Sequence, residues 1–199
     1  MNTSQEIISY MIQTLGGLYV FFALLRVLLQ ASRADYYNPV SQFAVKITQK
    51  PVWVLGKIIP RWGRLDLAGI LWVLIVQILI IEISCLIFYS QLIDPVTALA
   101  WAAIGTFQLF LTVVFWGMII LIIMSFAALL GGMRVQHPIL TLIEQLMAPI
   151  MYPLQRILPP MGGIDLSPLL LFMVISILQI ITANLAQGTG LVPSLVIGF

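Results

Sequence analysis

Apolar and polar positions alternate on a coarse scale along this chain. Four stretches, Ile7 to Leu29, Leu67 to Tyr89, Gln108 to Leu130 and Leu169 to Leu185, are almost unbroken runs of apolar residues. Each approaches the roughly 20 residues a helix needs to cross a hydrocarbon core of about 30 Å. The third belongs to a longer uncharged stretch, 36 residues from Pro95 to Leu130, or about 54 Å as a helix. The leading part, "PVTALAWAAIGTF", is therefore expected to lie in the outer interface with Trp101 as an anchor, the alternative being a strongly tilted span.

Two intervening segments have a different period. In "VSQFAVKITQKPVWVLGKII", Val40, Phe43, Ala44, Ile47, Val54, Leu55 and Ile58 recur at helical spacing, opposite a stripe of Lys46, Lys50, Trp53 and Lys57. In "ILTLIEQLMAPIMYPLQRIL", Leu142, Ile143, Leu146, Met147, Ile150 and Leu154 share one face, with Thr141, Glu144, Gln145, Tyr152, Gln155 and Arg156 toward the other. These are amphipathic helices that lie on a membrane surface or pack against the bundle. Each opens on a polar cap candidate and a proline, Asn38-Pro39 and His137-Pro138, and each contains an internal proline, Pro51 or Pro149, where a kink is expected.

Composition agrees with this pattern. Of 199 residues, 61% are hydrophobic and 8% charged, against roughly 25% charged in soluble domains. The fold class is an all-α membrane protein with four transmembrane helices, because lipid offers no partner for unpaired backbone groups. The single cysteine, Cys85, and single histidine, His137, exclude an internal disulfide and paired imidazole ligands, and no cofactor is expected. The opening "MNTSQE" has no basic region and no cleavage pattern follows, so the first apolar run reads as a retained span.

All nine Lys and Arg residues fall at or within the two long connections: Arg26, Arg33, Lys46, Lys50, Lys57, Arg61 and Arg64 in the first, Arg134 and Arg156 in the second. The excess of basic residues on cytoplasmic loops places both connections in the cytoplasm and both termini on the far side.

The chain also repeats. Pro39 pairs with Pro138, Pro60 with Pro159, Gly63 with Gly162 and Asp66 with Asp165, all 99 residues apart, while Pro51 and Pro149 are 98 apart. Each copy reads span, amphipathic helix, turn, span, over residues 1–92 and 93–199. An even number of crossings per copy makes the repeats parallel.

"NPVSQF", "KIIPRWGRLDLA" and "HPILTLIEQLMAPIMYPLQRILPPMGGIDLSP" carry a resemblance to the YggT family, also called YlmG-like, of small bacterial multi-pass proteins with plastid relatives. The chain resembles the two-copy form of Gram-negative bacteria, which implies an inner-membrane location. In the second copy the motif comprises Pro159, Pro160, Gly162, Gly163, Asp165, Ser167 and Pro168; the first keeps Pro60, Gly63 and Asp66 but has Arg61, Arg64, Ala68 and Gly69 where the second has Pro160, Gly163, Ser167 and Pro168. The resemblance implies no established enzymatic reaction. It links the chain to cytochrome assembly in plastids, nucleoid distribution, envelope organisation and osmotic tolerance.

Candidate chemistry is sparse. Asp66 and Asp165 are either a functional pair or helix caps, and capping is the simpler reading. Glu82, inside the second span, is either an intramembrane functional carboxylate or one that reaches the interface. Gln77, Gln108, Gln179 and Asn184 either line a polar path or join spans by hydrogen bonds. The cluster Lys46, Lys50, Lys57, Arg61 and Arg64 suits anionic lipid at the cytoplasmic face; direct nucleic-acid binding lacks a base-reading element. Nothing assembles a nucleophile with a base. The expectation is a non-enzymatic inner-membrane scaffold or assembly factor that self-associates or binds other membrane proteins. The competing class is a small channel or transporter for ions or osmolytes using Glu82 and the span amides.

Overall fold

The computed structural model describes residues 3–60, 63, 65–131, 137–157 and 167–199. Within these the chain forms six α-helices: α1 (Thr3–Ser32), α2 (Pro39–Gly56), α3 (Leu67–Tyr89), α4 (Pro95–Gly131), α5 (Pro138–Ile157) and α6 (Ser167–Gly188), followed by a 3-10 turn at Pro193–Leu195. Four of them, α1, α3, α4 and α6, are long and apolar enough to cross a membrane. The chain is an all-helical membrane protein.

Local chemistry sets the helix starts. The Asn38 side chain accepts from the Val40 amide at 3.0 Å ahead of Pro39, and His137 Nδ1 accepts from the Ile139 amide at 3.3 Å ahead of Pro138. Both side chains satisfy an amide that the first helical turn leaves orphaned. Asp66 Oδ1 does the same for the Gly69 amide at 3.2 Å and starts α3. Both α2 and α5 run unbroken through their internal prolines, Pro51 in α2 and Pro149 and Pro153 in α5.

Helix α4 departs from the sequence expectation. It is one helix of 37 residues, about 55 Å long, rather than a surface segment followed by a span. The cause is Asp94, whose Oδ2 accepts from the amides of Val96 and Thr97 at 3.1 and 3.2 Å and so caps a helix that begins at Pro95. Trp101 is correspondingly no interfacial anchor. It is buried against α6, and its indole N–H donates to the Thr189 carbonyl at 3.3 Å.

The two halves have the same internal contacts. α1 packs on α3 and α4 on α6; α2 lies against α1 and α3, and α5 against α4 and α6; α3 meets α4 and α1 meets α5 between the halves. Asn38 Nδ2 donates to the Pro138 carbonyl at 2.7 Å, and the Gln145 side chain accepts from the Asp35 amide at 2.7 Å, so α2 and α5 sit together on one side of the bundle. Leu111, Val114 and Met118 of α4, Leu142, Leu146 and Met147 of α5, and Leu171 and Ile175 of α6 close the largest core against Leu25 and Leu29 of α1. In the most apolar 18 residues of each spanning helix 22 to 33% of the residues are buried within the chain, and side chains such as Leu15, Ile123 and Ile180 stand exposed to lipid or to other proteins.

The two amphipathic helices dock differently. α5 buries the apolar face that its period outlines, Leu142, Leu146 and Met147. α2 instead buries Ser41, Ala44, Thr48 and Val52 and leaves Phe43, Val54 and Ile58 exposed. The small face of α2 thus goes to the bundle, and the large apolar stripe lies about a third of a turn away, free to face hydrocarbon. Surface contact and bundle contact are made by separate faces of one helix.

Candidate functional site

The polar side chains of the spans gather first along the seam between α1 and α3, which run antiparallel. Gln5 Nε2 donates to the Ile87 carbonyl at 3.3 Å, Gln13 Nε2 to Ser84 Oγ at 3.3 Å, and Trp72 Nε1 to the Tyr19 hydroxyl at 2.9 Å. Such contacts join spans at modest energy, roughly 0.6 to 2 kcal/mol each.

The seam ends at a buried charged node on the α2 side. Arg26 Nη1 donates to Thr48 Oγ1 at 3.1 Å, and Thr48 Oγ1 donates in turn to the Ala44 carbonyl at 2.6 Å. Arg26 Nη2 lies 3.9 Å from Asp66 Oδ2, an ion pair too long to be a hydrogen bond, and Oδ2 accordingly accepts none. The Arg26 and Asp66 side chains are only 12% and 3% exposed, so the pair is screened far less than one in water. One carboxylate therefore caps α3 with one oxygen and holds α1 and α2 through the charge on the other. The sequence offered Arg26 only as one more loop cation. The signal for its role is its place inside the first run, three residues before the run ends at Leu29, where an unpaired charge is costly. Ser125 stands 99 residues after Arg26 and Met147 99 after Thr48, so the node belongs to the first half alone.

A second group of polar atoms lies deeper. Gln77 is fully buried, about 15 Å along α3 and so near the middle of a 30 Å hydrocarbon core. Its Nε2 donates at 2.8 Å to the carbonyl of Ile197, in the C-terminal segment after the 3-10 turn. That segment folds back into the bundle, with Leu195 and Val196 buried beside Ile81, Cys85, Trp101 and Ala102. Non-helical backbone is tolerated at such depth only when protein encloses it. Two glycines permit the approach: a Cβ on Gly105 would meet Val196 and come within 2.9 Å of the Ile197 carbonyl, and one on Gly198, whose φ is +119°, would meet the Gly105 carbonyl. The position of this tail was not legible in the hydropathy, because nine uncharged residues are too few to read as a span.

Glu82 is half-buried, and its Oε2 accepts from the Ile93 amide at 3.3 Å, tying the end of α3 to the α3–α4 connection. Gln108 and Thr106 of α4 each hold a buried side-chain oxygen, Oε1 and Oγ1, without a hydrogen-bond partner among the described residues, as does Gln77 Oε1. Gln77 and Gln108 stand on neighbouring helices, Gln179 is half-buried on α6 and Asn184 is exposed there. Among the described residues no hydrogen bond links the four amides and Glu82 to one another.

On the α2 side, Lys46, Lys50, Trp53 and Lys57 form one exposed stripe. Lys57 Nζ sits 3.6 Å from the centre of the Trp53 ring, and on α5 the Arg156 guanidinium sits 5.0 Å from the centre of the Tyr152 ring. Ser167 is fully buried at the start of α6, with Pro168 in its first turn, and Gly63 turns the chain with φ +60°, while Pro60 ends exposed. Arg61, Arg64, Arg134, Pro159, Pro160, Gly162, Gly163 and Asp165 lie outside the described residues. No group of three or more His, Cys, Asp or Glu side chains that could hold a metal occurs among the described residues.

Four spans with two surface helices on one side, joined by buried polar seams, define a polytopic all-α membrane protein. The chain belongs to the CCB3/YggT family, whose model matches residues 5–86 and again 100–186. Among similar proteins, Pseudomonas aeruginosa PA0392 is 37% identical over 190 residues, covering 92% of this chain and 91% of that one. Escherichia coli YggT is 32% identical over 200 residues, covering 98% of both, and the Vibrio alginolyticus protein of the proC 3' region is 36% identical over 167 residues, covering 82% and 86%. None of these names states an activity. No solved structure matches the chain.

Proposed function

We propose that this protein is a non-enzymatic scaffold or assembly factor for envelope or membrane-protein complexes in a bacterial inner membrane. Its termini face the periplasm, and α2 and α5 face the cytoplasm. One observation carries the reading: polar side chains of the spans, Gln5, Gln13, Gln77 and Glu82 among them, make contacts within the chain, while α2 and α5 keep polar faces outward on one side. That division suits a protein that presents a surface rather than one that conducts. The orientation rests on the basic residues of both long connections. A periplasm-active reporter after Gln91 or Phe199 gives signal and one after Gln136 gives none; the reverse pattern sinks the orientation.

The scaffold reading is tested by photo-crosslinking in cells from Gln49, Lys50 and Gln155, all exposed on α2 and α5. Discrete protein adducts, or a dimer of this chain, are expected from these positions. A smear indistinguishable from that of lipid-facing Ile123 on α4 would remove the reading.

One observation favours the competing class. The buried oxygens of Gln77, Thr106 and Gln108 have no hydrogen-bond partner among the described residues, as acceptors along a water or cation path would. A channel of this kind gives flux in vesicles holding the purified chain, and Glu82→Gln or Gln77→Leu reduces it.

A further inference from the structure

The two aromatic–cation pairs share a register that neither surface helix shows alone. Trp53 and Tyr152 are 99 residues apart, and so are Lys57 and Arg156. Each pair has i, i+4 spacing near the end of its helix, which stacks the cation on the ring. Both rings are largely exposed, Trp53 at 61% and Tyr152 at 63%, and both cations are exposed. The halves otherwise differ here, since α2 docks by Ser41, Ala44 and Thr48 and α5 by Leu142, Leu146 and Met147. The same exposed device thus stands on two differently packed helices, so packing does not account for it.

The surroundings point to the occupant. On α2 the pair belongs to a stripe with Lys46 and Lys50, next to the outward apolar stripe of Phe43, Val54 and Ile58. A helix with one face on the bundle, one apolar face outward and cations between that face and water sits at the depth where acyl chains end and headgroups begin. Trp and Tyr favour the same level. α2 contains no acidic residue, and the only one on α5, Glu144, lies 12 residues before Arg156, about 18 Å along the helix. An ammonium seated on a ring keeps donors for a phosphate oxygen, and a stacked guanidinium keeps its edge for bidentate contact.

We infer that Trp53 with Lys57, and Tyr152 with Arg156, form two quasi-equivalent sites for the phosphate headgroups of anionic phospholipid. The inference rests on the proposed reading in one respect, that the α2 and α5 side is the cytoplasmic membrane surface. Two bound anionic lipids would hold both surface helices at one depth and fix the face they present.

The test is native mass spectrometry of the full chain released from nanodiscs of phosphatidylcholine with added phosphatidylglycerol. Two phosphatidylglycerol molecules are expected to remain bound. Lys57→Gln or Arg156→Gln should each remove one, with affinity falling about fivefold, the factor that roughly 1 kcal/mol per surface cation represents. The double variant should remove both, Lys57→Arg and Arg156→Lys should keep them, and Arg33→Gln, an exposed cation outside both pairs and the α2 stripe, should leave the count at two. Retention of both lipids by the double variant, equal retention of phosphatidylcholine, or a loss with Arg33→Gln would each overturn the sites. The scaffold reading fails separately: if protein adducts vanish while lipid counts follow this pattern, the scaffold falls and the lipid sites stand.

Discussion

Asp66 shows how much one side chain carries in a bundle with so few charges. Its Oδ1 caps α3, and its Oδ2 faces Arg26 at 3.9 Å with almost no exposure to solvent. Removing the carboxylate takes away a cap worth about 1 kcal/mol and the negative charge that faces a mostly buried cation. Asp66→Ala is expected to lower stability by about 3 kcal/mol in a reversible unfolding titration in detergent, with Asp66→Asn, which keeps the acceptor, losing less. A loss within about 0.5 kcal/mol, the range of an ordinary surface substitution, would show that the node is not structural. The cap was legible in the sequence, because an acid just before an apolar run is a start signal. The ion pair was not, since nothing in the spacing of Arg26, Thr48 and Asp66 shows that α2 lays its small face against α1 and α3.

Gly105 is informative at the same scale. A side chain there meets the C-terminal segment rather than lipid, and overpacking of that kind costs roughly 1 to 3 kcal/mol. In a chain carrying Cys85→Ser and Ile197→Cys, Gly105→Val should make the thiol at position 197 roughly tenfold more reactive toward a membrane-impermeant maleimide, by unseating the segment. An unchanged rate would mean that the tail is not held there.

Among the helices, those with strong periodic or capping signals were read closely. α3 runs over Leu67–Tyr89, the bounds its hydropathy gives, and α5 buries the face its period outlines. α4 differs from its hydropathy reading because one helix longer than a bilayer is thick begins at the Asp94 cap. α2 was half legible: its cationic stripe is exposed as expected, but the bundle takes Ser41, Ala44 and Thr48, where close backbone approach wins over apolar area. The pairing of α1 with α3 is checkable directly. A Cβ on Gly16 would lie 3.1 Å from Cγ1 of Ile80, which brings the two Cβ positions near disulfide range. Gly16→Cys with Ile80→Cys, in a Cys85→Ser background, should form an intrachain disulfide on mild oxidation. Absence of the bond would contradict this helix register.

For the whole molecule, the architecture was legible because lipid permits few alternatives: uncharged runs become helices, and the position of the basic residues orders them. The use of the polar span residues was not legible, because the same Gln or Glu serves a conducting path or a helix seam equally well in sequence. Three of these side chains have partners within the chain. Gln77 holds the C-terminal segment, Glu82 holds the α3–α4 connection and Gln13 holds Ser84. The outward features are the surface helices with their repeated aromatic–cation pairs. The most direct test of this account is ion and osmolyte flux into vesicles containing only the purified chain. The account predicts flux no greater than in empty vesicles and no effect of Glu82→Gln; flux that the chain supports and Glu82→Gln abolishes would contradict it.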